Sequence, residues 1–240
     1  MFGVGPSIGE VVGAICSGIS AICSGIGGTF MGGISTFATS LVGITMTMPE
    51  IGVLLLICQT VCKVAEILAE KPEEEKPEEL AVMAEEAELK PENFDSVTDY
   101  IAYLRGQVKE NKEQIEQKIE AMKMDEEKLA PYQAIGCSLY SKQLNEKLGL
   151  ELSPEFWKTV VEKKNSGKMS EKVISEYVAN MSEHGIKNGD ALTNFVEGKT
   201  KDANERFSVY DTMKEAYRIE NPNLSENELN EKIKELKSNK

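Results

Sequence analysis

The chain has 240 residues, 41% hydrophobic and 28% charged, with a formal net charge of -13 and a mean hydropathy of -0.30. The net charge argues against nucleic acid as a partner, because phosphate neutralisation needs a basic face and only three arginines are present (Arg105, Arg206, Arg218). The single His184 excludes sites built on several imidazoles. An odd count of five cysteines, four of them in the first 62 residues, does not describe a secreted disulfide scaffold.

The averages conceal an asymmetry. All 27 Lys and Arg residues lie at or after Lys63, and residues 1–62 hold two ionisable acids, Glu10 and Glu50. The other 178 residues carry 27 basic and 38 acidic groups. From Val11 to Pro49 no charge interrupts 39 residues. A helix of that length would be about 58 Å long, roughly twice the ~30 Å hydrocarbon core of a bilayer. The leader therefore divides into an apolar helix around Ile8–Gly27, a turn within Gly27-Gly28-Thr29, and a second apolar helix around Phe30–Met48. Pro49-Glu50 breaks the chain before a third apolar segment, Ile51–Leu68. A signal peptide does not fit, because no basic n-region precedes an apolar stretch far longer than a signal's core. The composition predicts a membrane-embedded helical hairpin of two or three helices; a buried hairpin in a soluble oligomer is the competing expectation.

Ala14-Ile-Cys-Ser-Gly-Ile19 repeats as Ala21-Ile-Cys-Ser-Gly-Ile26 at a period of seven. On a helix this aligns Ala14, Gly18, Ala21, Gly25, Gly28, Gly32 and Ser35 into a seam of small residues. Close backbone approach is what associates helices in lipid, so the seam is a candidate packing surface, within the chain or between copies in a homo-oligomer. It resembles, in a general way and over about residues 5–39, the glycine-zipper helices of pore-forming peptides and tightly packed membrane rings. Hydroxyls in the leader are expected to satisfy carbonyls of their own helix rather than line a channel. Glu10, Glu50 and Lys63 are candidate interfacial or intramembrane charges. Lys63, Lys71 and Lys76 follow the last apolar segment, which predicts a cytoplasmic C-terminal part anchored at the cell membrane. Cys58 and Cys62, four apart, read as small hydrophobes without a third ligand.

Residues 70–74 and 75–79 repeat Glu-Lys-Pro-Glu-Glu and predict a Pro/Glu spacer over 69–92, with a short helix Leu80–Leu89 before Pro91. From 93 to 240 every signal is helical. Asp95 or Ser96 caps a helix from Val97 that continues through Gln107–Met124, and Pro131 restarts the chain into Tyr132–Leu148, closed by Gly149. Ser153-Pro154 opens Glu155–Lys164, Ser170 opens the next helix, Asp190–Glu197 and Asp202–Ile219 follow, and Ser225-x-x-Glu228 is a capping box for Leu229–Leu236. His184 at a helix end is expected to stabilise terminal carbonyls.

No phosphate-binding loop, nucleophile elbow, zinc-protease or EF-hand motif is present, so the reading is non-enzymatic, without cofactor or metal. The expectation is all-α: residues 1–68 membrane-embedded, 69–92 a spacer, and 93–240 an acidic helical domain for a protein partner. The abundance of Lys over Arg suggests a bacterial source. The alternatives are a pore-former or translocated effector whose residues 1–68 permeabilise a membrane, and a membrane component of a secretion or conjugation machine.

Overall fold

The computed structural model describes residues 8–26, 29–45, 53–69, 75–123 and 125–237. Within them the chain is all-helical: α1 (Ile8–Ile26), α2 (Thr29–Thr45), α3 (Val53–Ala69), α4 (Pro77–Glu86), a 3-10 turn (Pro91–Asn93), α5 (Val97–Met122), α6 (Glu126–Leu148), α7 (Pro154–Asn165), α8 (Glu171–Asn180), α9 (Asp190–Val196), α10 (Ala203–Glu220) and α11 (Glu226–Leu236). One isolated bridge, Glu151 with Asn188, is the sole β pairing among the described residues.

Two compact units divide the chain by packing: 1–62 with 73–143, and 63–72 with 144–240. The boundaries at 68/69 and 92/93 divide it by composition instead, and the first unit draws on all three composition blocks. α3 and α6 each begin in the first unit and end in the second.

In the first unit α1 packs on α2 and α4, α2 meets the 3-10 turn, and α4 packs along α5. The core side of α1 is Ile15, Ile19, Ile22, Cys23 and Ile26; α2 contributes Met31, Ile34, Ala38, Leu41 and Val42. Among the described residues no helix is long and apolar enough to cross a membrane. The transmembrane hairpin expected from composition is therefore without support in the fold. α1, α2 and α3 have 19, 17 and 17 residues, about 26–29 Å at 1.5 Å per residue, short of the ~30 Å hydrocarbon core of a bilayer.

Two prolines behave differently from expectation. Pro77 opens the short helix three residues before the expected start at Leu80: it occupies the first turn of α4, where the missing N–H costs nothing, and the Glu79 carboxylate accepts from the Lys76 backbone N–H at 2.9 Å. Pro131 does not restart the chain either. It lies inside α6, which begins at Glu126, close enough to the start that one lost hydrogen bond is tolerated. The Gly27-Gly28 turn, the break at Pro49-Glu50 and the first Glu-Lys-Pro-Glu-Glu copy lie outside the described residues.

The second unit packs α10 against α8, α9 and α11, and α7 against α9. Its core holds Phe156, Trp157, Ile174, Tyr177, Leu192, Met213, Tyr217 and Ile233. Ser153, Ser170, Asp202 and Ser225 cap α7, α8, α10 and α11 through their side-chain oxygens, as Ser96 caps α5. Gly149 and Gly185 take positive φ (65° and 73°) where the chain leaves α6 and the turn after α8.

Candidate functional site

The small-residue seam of α1 does not close the contact with α2. Ala14, Ala21 and Gly25 are exposed and Gly18 is half-buried, because the isoleucines of each heptad take the core side and rotate the small residues outward. On α2, Gly32 is exposed and Ser35 half-buried. A Cβ added at Gly25 or Gly32 would meet nothing within 4 Å. Gly18 differs: its Cβ would lie 2.9 Å from Cγ of Pro131, so α1 approaches α6 closely at this point. Gly28 and Glu50 lie outside the described residues. Glu10 is exposed in the first turn of α1, where the helix dipole favours a carboxylate. Lys63 is exposed on α3 and paired with Glu66 at 2.7 Å, one turn on.

The hydroxyls of the leader follow expectation. Ser17 donates to the Gly13 carbonyl at 2.8 Å, Thr36 to Gly32 at 2.9 Å and Thr60 to Leu56 at 2.8 Å. Each bond runs back along its own helix; at the exposed Ser17 and Thr36 this leaves the surface less polar than its composition suggests, and at the buried Thr60 it satisfies the hydroxyl within α3. The C-terminal end of α1 has no basic residue of its own; Lys90, before the 3-10 turn, donates to the Gly25 carbonyl at 3.3 Å instead.

Where α1 approaches α6, Ala14, Gly18, Ala21 and Ile22 form one wall of a groove of about 540 Å³. Glu85, Met122, Asp125, Lys128, Pro131 and Tyr132 are among the residues opposite. Beside it, Lys118 of α5 reaches Glu85 at 2.8 Å and Glu86 at 2.6 Å, and the Tyr132 hydroxyl donates to the same Glu85 oxygen at 2.8 Å. Burial works against the Lys118 ammonium, but the two carboxylates outweigh it and hold its pKa above the usual lysine range. Burial, then the hydrogen bond to Glu85, pushes the Tyr132 phenol up to about 12. Both groups are held in their protonated forms, and the cluster ties α4, α5 and α6 together.

A second polar anchor sits at the entry to α4. Glu75 is only 7% exposed; its carboxylate is paired with Arg105 of α5, and its backbone carbonyl accepts from the Tyr140 hydroxyl at 2.9 Å. Composition assigns Glu75 to a solvated spacer, since a glutamate in a Pro/Glu run gives no sign that an arginine thirty residues on will desolvate it. Glu85, Lys118 and Tyr132 escape sequence reading for the same reason: each is an ordinary residue on a charged amphipathic helix, and only the packing of three helices joins them.

In the second unit His184 does not cap terminal carbonyls through its ring; its Nε2 lies 2.9 Å from the Glu215 carboxylate on α10. Among the described residues no three His, Cys, Asp or Glu side chains converge as a metal site would require. Comparison with protein-family models, curated proteins and solved structures finds no match to this chain.

Proposed function

We propose that the protein is a non-enzymatic, membrane-associated helical protein that self-associates through the small-residue face of its leader and offers its acidic helical region, residues 93–240, to a protein partner at the cytoplasmic face of a cell membrane. The observation that carries this reading is on the outward side of α1 and α2: Gly25 and Gly32 are exposed and leave backbone open to close approach, with Ser17 and Thr36 bonded inward along their helices. Such a face can bring backbones close without stranding polar groups. Residues from Val11 to Pro49 carry no charge of their own, despite the net charge of -13.

The test is Gly25→Leu with Gly32→Leu in the full chain, followed by light-scattering mass in detergent and carbonate extraction of membranes. The leucines point into open space, so the fold should survive while the oligomer dissociates and the unsubstituted chain stays in the membrane pellet. An unchanged oligomer, or release of the intact unsubstituted chain into the carbonate supernatant, would overturn the reading.

A second reading is supported by the covering of the isoleucine side of α1, which packs on α2 and α4. An apolar hairpin kept within a helical fold suits an effector that delivers residues 1–68 to a target membrane and permeabilises it. Dye release from liposomes by the full chain separates the two: leakage favours the effector, and tight binding without leakage favours the anchor.

A further inference from the structure

We infer that Cys58 and Cys137 form a redox-convertible dithiol that a small-molecule disulfide of the glutathione type oxidises to a bond between α3 and α6. The two cysteines are 79 positions apart and on different helices. Both are buried, with 1% and 0% of their surfaces exposed. The Cys58 thiol donates to the carbonyl oxygen of Gln133 at 3.6 Å, one helical turn before Cys137, and lies close enough to the Cys137 thiol for the two to act on each other electrostatically. Cys58 is thus aimed at the turn of α6 that carries its partner. Cys16, Cys23 and Cys62 are also free thiols, but Cys62 is one turn along the same helix as Cys58, a spacing that holds two side chains parallel on one helix rather than facing each other.

The chemistry closes without further reactants. One thiol, as thiolate, attacks a sulfur of the small disulfide, forming a mixed disulfide and releasing one small thiol. The second cysteine then attacks the protein sulfur of that mixed disulfide; the Cys58–Cys137 bond forms and the second small thiol leaves. Two electrons pass from the pair to the small disulfide, and the two thiol protons end on the two released small thiols. Burial makes the first attack slow and dependent on local opening. α6 supplies a weak point, because Pro131, six residues before Cys137, cannot donate a helical hydrogen bond. Once one cysteine is modified, reclosing of α3 on α6 returns the second cysteine to it and favours closure over accumulation of the adduct. The inference rests on the fold of the first unit alone and not on membrane association.

The test equilibrates the full chain in glutathione redox buffers, traps free thiols with a maleimide under denaturing conditions, and maps cross-linked peptides by mass spectrometry. Under oxidising buffer the number of reactive thiols should fall from the five of the sequence to three, with one cross-linked peptide joining Cys58 to Cys137 and dithiothreitol restoring all five. In the variant Cys16→Ser with Cys23→Ser and Cys62→Ser, the two remaining thiols should disappear together. Five reactive thiols at every buffer composition, stable glutathione adducts on Cys58 or Cys137, or a cross-link between any other pair would overturn the proposal.

Discussion

The Pro77 carbonyl oxygen of α4 lies 1.8 Å from where a Cβ on Gly136 of α6 would stand. No side chain fits there, because the obstructing atom belongs to the backbone of another helix and cannot rotate away. Gly136→Ala should therefore force α4 off α6 and destabilise the first unit by about 3 kcal/mol, the upper end of overpacking costs. Gly106→Ala in α5 is the matched control, since a Cβ there meets nothing within 4 Å; it should stabilise by about 0.5–1 kcal/mol through helix propensity alone. Urea unfolding of both variants reads the contrast.

The Glu75–Arg105 pair holds a glutamate whose side chain is only 4% exposed, against 23% for the arginine side chain. Arg105→Met removes the better-solvated partner and leaves the buried charge uncompensated, at a cost of about 3 kcal/mol. Glu75→Gln should cost less, because an amide leaves no buried charge and preserves the backbone carbonyl that accepts from Tyr140. If urea midpoints rank the two variants in the opposite order, Glu75 is better solvated than its packing indicates.

Much of this fold is legible in the sequence, and the unread part has a common cause. Helix ends are local events: Ser96, Ser153, Ser170, Asp202 and Ser225 announce their caps because the groups they satisfy lie two or three residues away. The seven-residue repeat likewise gives the spacing of Ala14, Gly18, Ala21 and Gly25. Periodicity separates two faces of α1 but does not say which one finds neighbours; burying Ile15, Ile19, Ile22 and Ile26 removes far more apolar surface from water, so the isoleucines take the core and the glycines turn outward. Pro77, Glu75, Glu85 and Cys137 owe their roles to residues 30 to 79 positions away, and no local pattern records such partners.

The Lys118–Glu85–Tyr132 cluster should be visible in alkaline titration. The folded pKa values of Lys118 and Tyr132 are both raised, so their contribution to stability is complete below the ordinary values and is lost as pH rises through the folded ones. Phenolate absorbance should place Tyr132 at about 12. Glu85→Gln removes the charge that both groups face, so the Tyr132 titration should move toward its ordinary value near 10. The stability loss near neutral pH should be about 1 kcal/mol, since Lys118 is 33% exposed and retains Glu86. An unmoved Tyr132 titration in Glu85→Gln would show that burial alone sets its value.

At the C-terminal helix the sign is reversed. Hydrogen bonds from Ser225, side chain first and backbone N–H second, hold the Glu228 carboxyl below its ordinary value; Lys214, then Arg218, does the same for Glu226. A depressed carboxylate contributes stability that is present above its unfolded pKa and lost as pH falls through the folded one. Acidification below the ordinary glutamate range near 4.5 should therefore loosen the start of α11 before the core of α8 and α10 responds. Ser225→Ala removes the side-chain half of the capping box and should return the Glu228 carboxyl toward its ordinary range while leaving Glu226 depressed. Carboxyl-carbon NMR titration reads the two glutamates separately, and a Glu228 midpoint unchanged by the substitution would transfer the effect from the serine hydroxyl to its backbone.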